Sequence, residues 1–133
     1  MALQSAAMRG VDVRVYVPRR SDSVLTTLAA RSYFDELREA GVRVFEYLPR
    51  MLHAKALLVD EDVAIVGSAN FDPRSFRLNF ELAVLFLDAG VAGQLAGLAE
   101  TVQARSREVR GARTLRLPAR LAEAVARLCS PLL

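Results

Sequence analysis

The chain has 133 residues, 53% of them hydrophobic and 25% charged, with a formal net charge of +3. Those values exclude a disordered tail and fit one domain large enough to bury a core without staples. The single cysteine, Cys129, excludes an internal disulfide, and no stretch approaches the roughly 18 apolar residues of a membrane span.

Residues 2–9 read as a short helix that lacks the apolar core of a signal peptide. Over residues 11–17, Val11, Val13, Val15 and Val17 alternate with Asp12, Arg14 and Tyr16, the pattern of a half-buried strand ended by Pro18. Ser21, Asp22 or Ser23 can cap the next helix, which runs to about Ala40 and stops at Gly41. Ala30, Tyr33, Phe34 and Leu37 line one face of it; Val24, Leu25 and Leu28 drift to another, which predicts a kink or two-sided burial in its first turn. A second strand is expected over 42–47, then a loop at Leu48-Pro49-Arg50. Residues 53–59 and 63–67 form a strand pair joined at Asp60-Glu61-Asp62, and Pro73 starts a turn over 71–77. Residues 79–87 are apolar on both faces apart from Asn79 and Glu81, which predicts a central strand. Helices follow near 89–108 and 117–129, with stripes Val91, Leu95, Leu98, Val102 and Leu117, Leu121, Val125, Leu128. The last helix is expected to pack into the core rather than rest on a membrane, because its polar face mixes Arg120, Glu123 and Arg127. The sum is a single α/β domain over 1–133, a mixed β-sheet flanked by helices.

Seventeen of the eighteen basic residues are arginine; the sole lysine, Lys55, stands two positions from the sole histidine, His53. Residues i and i+2 of a strand point the same way, so His53 and Lys55 share a face, as do Asn79 and Glu81. Ser68 and Asn70 have the same spacing just after Gly67, where the backbone can turn or approach a ligand closely. By the same parity Asp60 faces away from His53. A lone histidine, a strand lysine or a Gly-Ser-Ala-Asn turn is each ordinarily structural. Glu81 in an apolar run is harder to dismiss, because an unpaired buried carboxylate is costly; a protonated or arginine-paired structural role stays open. As a site, the set has distinct roles. A neutral imidazole can attack phosphorus, and a carboxylate on its other nitrogen fixes the tautomer. Lys55 and the Asn70 amide can donate to phosphate oxygens, and Ser68 can add a hydroxyl.

The stretch His53-Ala-Lys55, four residues, Asp60, six residues, Gly67-Ser68-Ala-Asn70 resembles the HxK-x4-D-x6-GSxN signature of the phospholipase D superfamily. The flanks, within a signature region of about 47–74 and onward through Arg74-Ser75 to Asn79-Phe80-Glu81, are similar to the C-terminal half of bacterial cardiolipin synthases. The resemblance implies a phospholipase-D-like half domain in which His53 is the attacking group or the acid for the leaving oxygen. It further implies that Lys55 and Asn70 bind phosphate, Ser68 assists, Glu81 holds the His53 ring, and Asp60, Gly67 and Asn79 are motif or structural residues. No metal or organic cofactor is implied. The expected reaction is transfer of a phosphatidyl group between phospholipids, with a phosphatidylglycerol-like substrate. In-line displacement needs an attacker and an acid on opposite sides of the phosphate, and this chain has one histidine. A second half, or a second copy in a homodimer, is therefore an expected partner. The alternatives are a homodimeric phosphodiesterase or nuclease and an inactive half-enzyme. The expected location is cytoplasmic or peripheral at the inner membrane. Nucleic acid is the less favoured partner, since no basic stripe with interleaved aromatics is present.

Overall fold

The protein is described by a computed structural model covering residues 1–21, 23–49, 51–70, 80–111 and 117–129. Asp22, Arg50, the turn expected over 71–77 and the candidate residue Asn79 lie outside the described residues. The chain divides into two compact units, Met1–Leu52 with Arg105–Ser130, and His53–Ala104. Both are mixtures of helix and strand, so the α/β class holds.

In the first unit, helix α1 (Ala2–Met8) leads into strand β1 (Arg14–Pro18), helices α2 (Val24–Ser32) and α3 (Phe34–Glu39), and strand β2 (Arg43–Tyr47). Ser23 caps α2, its Oγ accepting from the Thr26 amide at 3.4 Å. The single helix expected to Ala40 is two, broken at Tyr33 rather than in the first turn. The break lets α2 pack on the last helix while α3 packs on β2, which one straight rod cannot do. α3 stops as its sequence predicts. Gly41 has φ +93, its amide reaches the Arg38 carbonyl at 2.9 Å, and the Val42 amide reaches Leu37 at 3.0 Å. That is a Schellman cap, closed by contact of Leu37 and Val42 in one apolar cluster.

β2 is the middle strand of a mixed sheet, parallel to β1 and antiparallel to β6 (Ser106–Glu108). The core gathers Val13, Phe34, Val42 and Val44, with Leu3, Ala6 and Ala7 of α1 packed against them. On the other face of β2, Phe45 stacks on Tyr16 with ring centroids 5.1 Å apart. The helix expected over 89–108 ends early, because residues 106–108 pair with β2 instead. Their charges explain the preference: Glu108 meets Arg43 at 2.9 Å, and Arg107 meets Glu46 at 2.9 Å.

The second unit is an antiparallel sheet in the order β3 (Ala56–Val59), β4 (Val63–Gly67), β5 (Ala83–Leu87), with helix α4 (Ala89–Ala104) against it. Asp88 caps α4, its Oδ1 accepting from the Val91 amide at 2.8 Å. Ala92 is buried in its first turn, and Leu98, assigned to the inner face by the sequence stripe, is exposed instead. Among the described residues the strand expected to be central lies at an edge: β4 is in the middle and β5 pairs on one side within its own unit. Phe80, Leu82, Leu85 and Leu87 are all exposed, so the two-sided apolar pattern of this run is not satisfied inside the unit.

The last helix, α5 (Leu117–Cys129), belongs to the first unit. Its leucine stripe, expected in the core, is exposed, and its polar side is docked on α2. Glu123, buried on that side, and Arg127, paired with Glu36 at 2.7 Å, hold it in this orientation.

Candidate active site

His53, Lys55, Ser68, Asn70 and Glu81 lie at one end of the β3-β4-β5 sheet, and Asp60 lies in the β3–β4 turn at the other. His53 and Lys55 stand just before β3 rather than within it. The ladder still reaches them, since the Gly67 amide donates to the Lys55 carbonyl at 3.0 Å. The period-two expectation is met. Lys55 Nζ donates to the His53 carbonyl at 2.9 Å and lies 2.9 and 2.8 Å from the two ring nitrogens. A neutral imidazole offers one acceptor nitrogen, so it takes one of these two contacts at a time.

Ser68 and Glu81 form the second pair. Ser68 Oγ donates to Glu81 Oε2 at 2.5 Å and accepts from the Leu82 amide at 3.0 Å. Its own amide donates to the Leu82 carbonyl at 2.9 Å. These bonds carry the β4–β5 ladder one residue past the strands and tie Glu81 to the motif serine. Gly67 makes this possible. A β-carbon there would stand 2.5 Å from the Leu82 carbonyl oxygen, so the close approach inferred from sequence is to β5 backbone rather than to a ligand.

The expected hydrogen bond from Glu81 to the His53 ring is not among those made by the described residues. The ring contacts Lys55, and Glu81 contacts Ser68. Asn70 is exposed beyond Ser68. Asp60 occupies the β3–β4 turn with φ +53, a left-handed conformation that aspartate tolerates better than most residues. Lys55 is half-buried, and His53, Ser68, Asn70 and Glu81 are exposed, so the motif forms an open surface. Among the described residues no group of histidine, cysteine and carboxylate side chains could hold a metal ion, and no helix is long and apolar enough to cross a membrane.

An open cleft of about 260 Å³ in the first unit, lined by Arg38, Arg43, Glu108 and Arg110 among others, contains none of the motif residues. Hydrogen bonds from Arg43 and then Arg110 hold the Glu108 carboxyl down to about 2. Sequence reasoning also passed over Glu46. This buried carboxylate takes Arg31 through Nε and Nη2 at 3.2 and 3.0 Å and Arg107 at 2.9 Å. The signal was the one that singled out Glu81, an acid inside an apolar strand.

The arrangement defines a phospholipase-D-like class of fold. A phospholipase D family member, Nuc from Salmonella typhimurium, superposes with a TM-score of 0.71 at 25% identity, covering 83% of this chain and 72% of that one. A family model described as the PLD-like domain of cardiolipin synthase matches residues 1–102, and the chain belongs to that family. Cardiolipin synthase A of Pseudomonas aeruginosa strain LESB58 is 47% identical over 99% of the chain, that of Pseudomonas putida strain GB-1 is 44% identical, and that of Klebsiella pneumoniae strain 342 is 40% identical. The chain spans 27–28% of the length of these relatives.

Proposed function

We propose that this chain supplies one histidine-lysine half of a phosphatidyl-transfer site of the cardiolipin synthase kind. The observation that carries the reading is the contact of Lys55 with the His53 ring at the end of the sheet where Ser68 holds Glu81. In such a transfer a histidine nitrogen bonds to phosphorus as the bond to the leaving alkoxide breaks. An acid protonates that oxygen, and a second lipid's hydroxyl then attacks the phosphohistidine. His53 takes one of the two histidine roles, and a second phospholipase-D-like half takes the other. Lys55 and Asn70 hold the phosphate oxygens, Ser68 adds a donor, and Glu81 takes the His53 ring once the substrate draws the site together. The exposed apolar residues Phe80 and Leu82 on either side of Glu81 support a partner half seated there. Phosphatidylglycerol is the proposed substrate and the inner membrane surface the proposed location. The test is to supply phosphatidylglycerol and a matching N-terminal half, and to look for cardiolipin. Loss of product with His53→Ala is expected; product formed equally well by that variant would overturn the proposal.

A second reading, a phosphodiesterase built from two copies of this chain, draws support from the near match in size to Nuc, 72% of which this chain covers. Sedimentation separates the two: a strict monomer that cleaves phosphodiesters by itself counts against the dimer.

A further inference from the structure

Helix α5 carries its apolar stripe outward. Leu117, Leu121, Val125 and Leu128 fall on one side of the helix by its 3.6-residue period, and they are 58–81% exposed. The opposite side is docked on α2, with Ala126 at 0% and Glu123 at 7% exposure. Arg127 fixes the rotation of the helix, pairing with Glu36 at 2.7 Å while its guanidinium lies 4.3 Å over the Tyr33 ring. Specific polar contacts therefore hold the polar side in, and the leucines point out as a consequence of that docking.

The charges around the stripe say what it fits. Glu123 is the sole acid on α5 and lies on the docked side. Arg120 is exposed and stands nearer the stripe than Glu123 does. Arg113 and Arg116 come just before the helix in sequence. A row of leucine and valine with Arg120 beside it, on a helix face that carries no carboxylate among the described residues, complements a layer that is apolar inside and anionic at its surface.

We propose that α5 is an interfacial helix that seats this chain on a bilayer of anionic phospholipid, with Leu117, Leu121, Val125 and Leu128 at the acyl boundary and Arg120 among the phosphates. The choice of a lipid surface rests on the reading of a phospholipid substrate, because it places the chain where that substrate is.

The chain has no tryptophan, so Leu121→Trp gives a single reporter on the stripe. Its emission should shift to the blue on adding vesicles of phosphatidylcholine with phosphatidylglycerol, and shift less with phosphatidylcholine alone. In the otherwise unchanged chain, Leu121→Gln with Val125→Gln should weaken co-sedimentation with the mixed vesicles about tenfold or more. Its thermal melting should hold, since both side chains face out. The inference is overturned if the reporter ignores both vesicles or if the double variant sediments with them as well as the parent does. A reporter shift that grows with protein concentration in the absence of lipid also overturns it, since a protein surface then covers the stripe. The two readings fail separately. Vesicle binding by a chain that never yields cardiolipin supports this seat and counts against the reaction. Turnover of dispersed short-chain phosphatidylglycerol without vesicle binding does the reverse.

Discussion

Two glycine-to-alanine substitutions should move stability in opposite directions. At Gly67 the new β-carbon would meet the Leu82 carbonyl oxygen at 2.5 Å and the Ala83 Cα at 3.0 Å. Both are backbone atoms, so β5 must move rather than a side chain turn. Overpacking of this kind costs about 1–3 kcal/mol. The shift also loosens the bonds between Ser68 and Leu82 at 2.9 and 3.0 Å, each worth about 0.5–1 kcal/mol. The sum is about 2–5 kcal/mol, or roughly 7–18 °C of melting temperature for a chain of this size. At Gly93, inside α4, the added carbon meets nothing within 4 Å. There alanine gains about 0.5–1 kcal/mol of helix propensity, raising the melting temperature by about 2–4 °C. Thermal unfolding followed by circular dichroism reads both. If the two variants shift in the same direction, the close approach of β5 to Gly67 is wrong, and with it the placement of Glu81 beside Ser68.

The ion pairs of the first unit give a pH prediction. Arg43 and Arg110 hold Glu108 at about 2, below its usual 4.5, so its contribution is present above the unfolded value and is lost as pH falls towards about 2. Glu108→Gln should therefore flatten the fall of the urea midpoint through that acid window. Glu46→Ala removes the acceptor for Arg31 and Arg107; with Arg107 able to return to water, the expected cost is about 2–3 kcal/mol by urea denaturation. On the proposed reading, Lys55→Gln removes a charge from the phosphate site and should lower phosphatidyl transfer by about 10²–10³ in kcat, with little change in melting. Arg127→Ala should loosen α5 from α2 by about 0.5–1 kcal/mol, the range of a half-exposed pair with a ring contact.

Local signals in the sequence were read well where one short-range rule decides the outcome. Gly41 ends α3 because only the left-handed region lets the cap close; Val13, Val15 and Val17 join the core cluster as their alternation predicts, while Val11 is exposed ahead of β1, which begins at Arg14. His53 meets Lys55 as their spacing predicts, although both stand before β3 rather than in a strand. What the sequence concealed depends on partners far along the chain. Nothing in Ser106-Arg107-Glu108 announces that β2 supplies carboxylate and arginine for it, so the local pattern predicts a helix there. The leucine stripe of α5 has the periodicity of a core face, and the Glu36–Arg127 pair that turns it outward joins residues 91 apart. In the site, Glu81 stands out in the sequence as an acid among apolar residues. Its bond to Ser68 depends on how β5 meets the end of β4, which no spacing encodes.

On the proposed reading, the openness of the motif limits what one half can do by itself. His53 and Glu81 are exposed and Lys55 is half-buried, so water screens each charge that would act on a phosphate. Two unit charges 4 Å apart interact by about 1 kcal/mol in water and about 4 kcal/mol at the effective dielectric of a partly covered protein site. On the proposed reading, a second half that covers the end of the β3-β4-β5 sheet supplies the missing histidine and also raises the effect of the lysine already present. The exposed Phe80 and Leu82 beside Glu81 give that cover an apolar seat. It follows that Phe80→Ser, which removes no catalytic atom, should lower transfer in the reconstituted enzyme by raising the concentration of the second half needed for half-maximal activity. The rate at saturation should be retained. A titration with the second half tests this. An unchanged midpoint with a reduced plateau would mean that Phe80 acts inside the site rather than at its edge.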